Sequence, residues 1–265
     1  MKPVNLSNLF MAVSSALLLA VSCSIKESRV PCPCYIKVGF DDREHITEDV
    51  TVMGWRDGEL FRKDIDVSEY DPYWVTAVHK GSLQVMACLG LDGNVSEGHY
   101  AVIPFGNECD SLYAYFEPVD ATGDDVTVEA HLKKQFATVH VDISKDASQM
   151  GEYDFIVDGN SCGFDLMDFS PVEGPFHCEP VPVKGSRLVV FRVPRQKDAS
   201  LRMTVFKGDL DLGSFPIGDY MRRLNYNWDA QELQDIYITI DFIVGQVVIG
   251  IDDWETGVMM TFIEQ

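Results

Sequence analysis

What most constrains this chain is a period of two. From Asp235 it runs DIYITIDFIVGQVVIGIDDWETG; Ile236, Ile238, Ile240, Phe242 and Val244 share one parity, with Tyr237, Thr239 and Asp241 between them. Such spacing sends one set of side chains to one face of a β-strand and the other set to the opposite face. Gly245-Gln246 reads as a two-residue hairpin turn, because glycine accepts the positive φ that a II′ turn needs at its first central position. Val247, Ile249 and Ile251 then form the inward side of a return strand, followed by Trp254.

The same period recurs upstream. Ile36, Val38 and Phe40 alternate with Tyr35 and Lys37, and Leu83, Val85, Ala87 and Leu89 with Gln84, Met86 and Cys88. Leu112, Ala114 and Phe116 alternate with Tyr113 and Tyr115. Further runs are Val126 to Leu132, Ala137 to Ile143, YDFIV (153–157), RLVVFRV (187–193) and LRMTVF (201–206). Turn chemistry separates them at Asp57-Gly58, at Asp92-Gly93-Asn94 and over Pro118 to Asp125. One short helix is expected near 217–224, where Ile217, Met221 and Leu224 fall at i, i+4 and i+7 after Pro216.

Short strands, frequent turns and almost no helical period predict an all-β protein built of β-sandwiches. The cluster Ala121-Thr122-Gly123-Asp124-Asp125 marks the expected break between two of them in series. The N-terminal sandwich is then expected over residues 32–124 and the C-terminal one over 125–257, with 258–265 a tail that could form one more strand.

The first residues carry an export signal. Residues 1–22 hold one charge (Lys2), then Leu9 to Val13 and Ala16 to Leu19, a core too short for a comfortable membrane span. Leu19-Ala20-Val21-Ser22-Cys23 resembles a bacterial lipobox, with Ala20 where leucine is usual. On that reading 1–22 is a lipoprotein signal peptide, Cys23 is acylated and 23–31 is a short tether. The alternative is an ordinary cleaved signal with an incidental cysteine. Each buried acyl methylene contributes roughly 0.8 kcal/mol, so several chains on one cysteine anchor stably where one would not.

Without Lys2 the chain keeps 20 basic against 42 acidic residues, a formal charge of −22. That surface repels phosphate backbones, which argues against nucleic-acid partners, and it disfavours docking on anionic lipid. Charged residues are 24% of the chain against 46% hydrophobic, the balance of a folded globule and not of an acidic disordered tail.

Six cysteines remain: Cys32, Cys34, Cys88, Cys109, Cys162 and Cys178. An even number in an exported chain suggests disulfides. Cys32 and Cys34 flank Pro33 too closely to pair with each other. The expected pairing joins these two to Cys88 and Cys109, and Cys162 to Cys178. Free thiols, or only some of the bridges, are the alternative. Zinc at Cys-Pro-Cys would need a second close pair of ligands, which the sequence does not offer.

No motif of catalysis stands out: there is no GxSxG, HExxH, P-loop or GxGxxG after a strand. His45, His79, His99, His131, His140 and His177 are scattered. Asp41-Asp42, Asp124-Asp125 and Asp252-Asp253 sit at strand ends or turns, where solvated acids are common, although two carboxylates can serve glycoside hydrolysis. Gly208 to Gly213 (GDLDLG) reads as a polar turn and lacks an EF-hand's spacing. Trp55, Tyr70, Tyr73 and Trp74 either line a sugar platform or pack the first sandwich. No catalytic residue, metal or cofactor is assigned.

Taken together, Cys23, the Cys32-Pro33 step, YIKVGF, VEAHLKKQFATVHVDI, LRMTVF with IGDYMRRL, and LQDIYITIDFIVGQVVIGIDDWETG resemble the FimB-like fimbrial anchoring lipoproteins of type V fimbriae, over essentially the whole mature chain. The tail after Trp254 departs from that family's usual ending. The resemblance implies two transthyretin-like β-sandwich domains and no catalysis. It also implies a place at the base of a fimbrium, held to the outer membrane by the acylated Cys23 and joined to stalk subunits by strand addition. A surface glycan-binding lipoprotein is the alternative function.

Overall fold

The computed structural model describes residues 32–41, 46–91, 95–143, 153–241, 246–251 and 259–263. Cys23, the signal, the tether, His45, Asp42, Asp252-Asp253, Trp254, Phe242, Val244 and Gly245 lie outside them. Gln246, expected in a two-residue turn, instead opens a strand and pairs with Asp241. The first strands are β1 Cys34–Phe40, β2 Val50–Trp55, β3 Glu59–Ile65, β4 Trp74–Val78 and β5 Ser82–Leu89. Then come β6 Val95–Glu97, β7 Tyr100–Val102, β8 Tyr113–Asp120, β9 Asp125–Ala130 and β10 Lys133–Lys134. The second half holds β11 Phe136–Ile143, β12 Tyr153–Asp165, β13 Pro171–Cys178, β14 Leu188–Pro194, β15 Arg202–Lys207 and β16 Leu210–Phe215. The helix α1 Ile217–Arg223 precedes β17 Ile236–Asp241, β18 Gln246–Ile251 and β19 Met259–Ile263. The chain is thus almost entirely β, as its alternation predicts.

Among the described residues four sheets form: β4-β1-β9, β10-β8-β5-β2-β3, β14-β11-β17-β18-β19, and β16-β15-β12-β7-β6 with β13 also on β12. One motif recurs. β1 lies between an antiparallel neighbour, β4, and a parallel one, β9; β11 likewise lies between antiparallel β14 and parallel β17. The alternation of β17 holds: Ile236, Ile238 and Ile240 are all buried. Each isoleucine so placed contributes about 1.5–3 kcal/mol. The expected tail strand exists as β19, antiparallel to β18 at the edge of its sheet.

The expected helix is α1, whose buried residues are Ile217, Gly218, Tyr220 and Met221. It seats so closely that a Cβ on Gly218 would stand 2.5 Å from the Ala199 carbonyl carbon. The Gly218 amide donates to Leu201 O at 2.8 Å, so the first turn is tied to the start of β15.

Strand pairing crosses the expected break at residues 121–125 in both directions. β9 begins at Asp125 and zips in parallel onto β1, and β10 pairs with β8, so both belong with the first pair of sheets. Conversely the β6–β7 hairpin, from the first half of the chain, pairs through β7 with β12 of the second. Only the pairing partners distinguish these short strands from their neighbours; their own composition does not.

Two cores result, and the sheet β10-β8-β5-β2-β3 serves both. Leu83, Val85 and Ala87 face the first core with Ile36, Val38 and Val128. Met86 and Cys88 face the second, with Leu112, Ala114, Phe164 and Phe176. Met86 and Cys88 are therefore not a solvent face, as a half-buried strand would give, because the second half of the molecule covers that side. Gln84, near the strand's start, is half-buried and borders a surface depression.

Candidate functional site

A cleft of about 730 Å³ opens between the two halves. Ala114, Tyr115 and Phe116 of β8, with His131 and Lys133, form one wall. The other comes from the β12–β13 turn (Asp168, Phe169, Ser170, Pro171) and from Arg195, Asp229, Ala230 and Gln231.

The turn is held by its own polar groups. Met167 N donates to Asp165 Oδ1 at 2.8 Å, Phe169 N to Asp165 O at 2.8 Å, and Ser170 N to Asp168 Oδ1 at 2.8 Å. Asp165 Oδ1 also meets His99 Nδ1 at 2.9 Å. Within this frame Phe169 takes φ +61°, a left-handed conformation rare for an aromatic residue and costly by about 1–2 kcal/mol. Its ring packs edge-on to Phe164 at 6.3 Å and under the Arg195 guanidinium at 5.8 Å.

Arg195 is 2% exposed and fixes the opposite wall. Its Nε donates to Gln135 Oε1 at 2.8 Å, Nη1 to Trp228 O at 2.6 Å, and Nη2 to Ala230 O at 2.5 Å and Gln231 O at 3.3 Å. Gln135, wholly buried, returns two bonds from Nε2, to Lys133 O at 2.9 Å and Gln231 O at 3.1 Å. Neither residue stands out in sequence, since an arginine after a strand normally reads as solvated. Phe169 carries no signal either, because its importance lies in a backbone angle.

The cleft's basic side chains are turned onto protein acceptors: Lys133 onto Gln231, His131 onto Asp41, Arg195 onto Gln135 and the loop carbonyls. Bonds from Ser170 hold the Asp168 carboxyl below the usual carboxylate range, so it stays ionised at neutral pH. Burial, reinforced by a bond to Glu117, pushes the Tyr115 phenol up. With an ionised Asp168 the cleft lacks, at that position, the protonated carboxyl that glycoside hydrolysis requires.

The aromatics considered as a sugar platform do not converge. Trp74 is 8% exposed and packs against Phe61, and Tyr70 packs on the first core. Tyr73 meets Glu129, and Trp55 lies edge-on to His99 in a separate depression with Gln84 and Asp120. Asp124 and Asp125 are spent on Lys80 and Lys37. Gly208 to Gly213 contains the β15–β16 hairpin turn, where Gly208 has φ +57° and Asp211 Oδ1 accepts from Gly213 N at 2.8 Å.

Sheet geometry corrects the expected cysteine pairs. Cys178 sits opposite Val157 on β12, whereas Cys162 lies five residues further along, against Glu173 and Val172. At roughly 3.3 Å per residue the two are over 15 Å apart, beyond any disulfide. Cys34 belongs to the first core and Cys88 and Cys109 to the second, on opposite sides of the shared sheet. Sheets stack about 10 Å apart, so Cys34 cannot reach either; Cys32 is exposed just before β1. Cys88, Cys109 and Cys178 instead share one core, and all six thiols are free.

The described strands, gathered in sheets about two hydrophobic cores, define an all-β sandwich architecture. No family model matches the chain, and no curated protein does. Solved structures do match over nearly the whole fold. The fimbrial anchor protein Mfa2 from Porphyromonas gingivalis superposes with a TM-score of 0.55 at 12% identity, covering 84% of this chain and 98% of that one. A candidate adhesin from Bacteroides ovatus gives 0.56 at 13% identity, covering 92% and 100%. A candidate polysaccharide-binding protein from Bacteroides thetaiotaomicron gives 0.57 at 13%, covering 88% and 98%. The chain shares their fold.

Proposed function

We propose that this protein is a lipid-anchored fimbrial subunit that tethers a fimbrium to the outer membrane, facing the cell surface. The observation that carries the proposal is the likeness to a fimbrial anchor along 98% of that protein's length, joined to the lipobox at Cys23. Among the described residues no helix is long and apolar enough to cross a membrane. Acyl chains on Cys23 would supply the attachment instead.

Contact with stalk subunits is assigned to strand addition, in which an edge pairs with a strand of the neighbour through backbone hydrogen bonds. β19 is the candidate for exchange: among the described residues it is the last strand of its sheet and pairs on one side only, with β18.

The test compares cells carrying the native chain with cells carrying Cys23→Ala. The expected result is that the variant folds, leaves the outer membrane, and releases filaments from the envelope into the medium. A variant that still sediments with outer membranes would overturn the lipid assignment. Unchanged filament distribution with a released variant would overturn the tethering role.

A further inference from the structure

The cleft between the sandwiches has features that strand addition does not use. It has a volume in the range of small-molecule sites. Its aromatic rings come from both walls, Phe116 from β8 and Phe169 from the β12–β13 turn. Phe169 is held in a left-handed backbone conformation that a tyrosine, leucine or phenylalanine avoids unless its surroundings impose it, and such strain concentrates at ligand clamps. The wall behind it is braced by a buried arginine with four bonds to protein acceptors.

The polar groups decide what would fit. Lys133, His131 and Arg195 already engage protein acceptors, while the carboxylates of Asp168 and Asp229 border the cleft. An anionic ligand would meet those two carboxylates within a chain of formal charge −21. The favoured ligand therefore donates hydrogen bonds, carries no negative charge and has flat apolar faces for phenylalanine rings. Pyranose sugars combine all three: axial and ring C–H faces to stack on aromatics, and hydroxyls to donate to carboxylates.

We propose that this cleft binds a neutral oligosaccharide, its pyranose faces laid on Phe116 and Phe169 and its hydroxyls donating to Asp168 and Asp229. The protein would then act as a surface lectin in addition to its tethering role, at a site distinct from Trp55 and Trp74.

The test is isothermal titration of the complete mature chain with maltohexaose, cellohexaose, laminarihexaose and mannohexaose, with hexalysine and hexagalacturonate as charged comparisons. At least one neutral sugar is expected to saturate with a Kd below about 1 mM. Asp168→Asn and Asp229→Asn are each expected to weaken it about tenfold or more without moving the unfolding temperature, while Trp55→Ala leaves it unchanged. Asparagine keeps the oxygen that caps Ser170, so the turn survives the first change. The proposal is overturned if no neutral sugar saturates, if binding survives the Asp168→Asn, Asp229→Asn double variant, or if hexalysine alone binds.

Discussion

Val85 and Met86 are consecutive on β5, both are fully buried, and they belong to two different cores. The shared sheet thus couples the two halves of the molecule, and the β6–β7 hairpin on β12 locks them from the other direction. Met86→Ala should cost about 2–5 kcal/mol and Val85→Ala about 2 kcal/mol. Each should destabilise both halves together. Trp74 packs the first core and Trp228 borders the second, so fluorotryptophan signals from both report unfolding in denaturant. The expected outcome is one midpoint for both signals, shifted equally in each variant. Separate midpoints would show that the halves unfold independently.

Arg195 gives a second expectation. Replacing it by methionine leaves Gln135 Oε1 and the carbonyls of Trp228, Ala230 and Gln231 without their donor inside a buried wall. A single orphaned group costs about 1–3 kcal/mol, so the variant should lose on the order of 3 kcal/mol or more. Arg195→Lys should recover little of this, because an ammonium cannot reproduce the planar fork that spans Gln135 and the 228–231 carbonyls. Urea unfolding of the three proteins checks both statements.

These two sites show where sequence stops being informative. The strands themselves are legible, because a face buried against a core imposes period two on β1, β11, β15 and β17, and the register then follows. The helix α1 is legible for the same reason with a different period. By contrast, the burial of Met86 and Cys88 depends on a second layer packing over their face. Nothing in LQVMACL distinguishes a strand covered on both sides from one with a mixed outer face. The crossing of Val95–Val102 to β12 and the return of Asp125–Ala130 to β1 are choices of partner, which local pattern does not encode. The cleft is further still from view. It is assembled from residues 114–116, 131–133, 168–171, 195 and 229–231, and its key aromatic is marked by φ and not by residue type. Cysteine parity was a poor guide to pairing because it carries no distances; the register of β12 against β13 supplies them.

Two histidines should titrate on opposite sides of the ordinary value of 6.5. A bond to Asp158 at 2.7 Å raises His177, which also stacks on Phe105. Burial lowers His140, stacked on Tyr237 at 4.6 Å. For His177 the folded state binds the proton more tightly, so its stabilisation is complete below pH about 6.5 and fades as pH rises through the folded value. For His140 the folded state disfavours the proton, so stability is lost as pH falls below about 6.5. Two-dimensional NMR of the imidazoles should give that order. The difference in unfolding temperature between the native chain and His177→Gln should be largest in mild acid and shrink above neutrality. A difference that grows with pH would contradict the assigned partner.

The thiols supply the last expectation. Cys32 is exposed, while Cys34, Cys88, Cys109, Cys162 and Cys178 are buried. Burial pushes the Cys178 thiol up to about 12, and raises Cys88 and Cys109 as well. The thiolate is the reactive form, so these core cysteines should be inert to maleimide at neutral pH for two reasons, access and protonation. In the native chain Cys32 should label within minutes, and Cys34 and Cys162 only with local opening. Cys88, Cys109 and Cys178 should label only as the second core unfolds, at the same denaturant concentration as the Trp228 signal. Mass mapping under non-reducing conditions should find neither a Cys162–Cys178 bridge nor one from Cys34 to Cys88 or Cys109. Recovery of any of these three bridges from correctly folded protein would mean that the β12–β13 register or the two-sided packing of β5 is wrong, since no side-chain rotation closes such gaps.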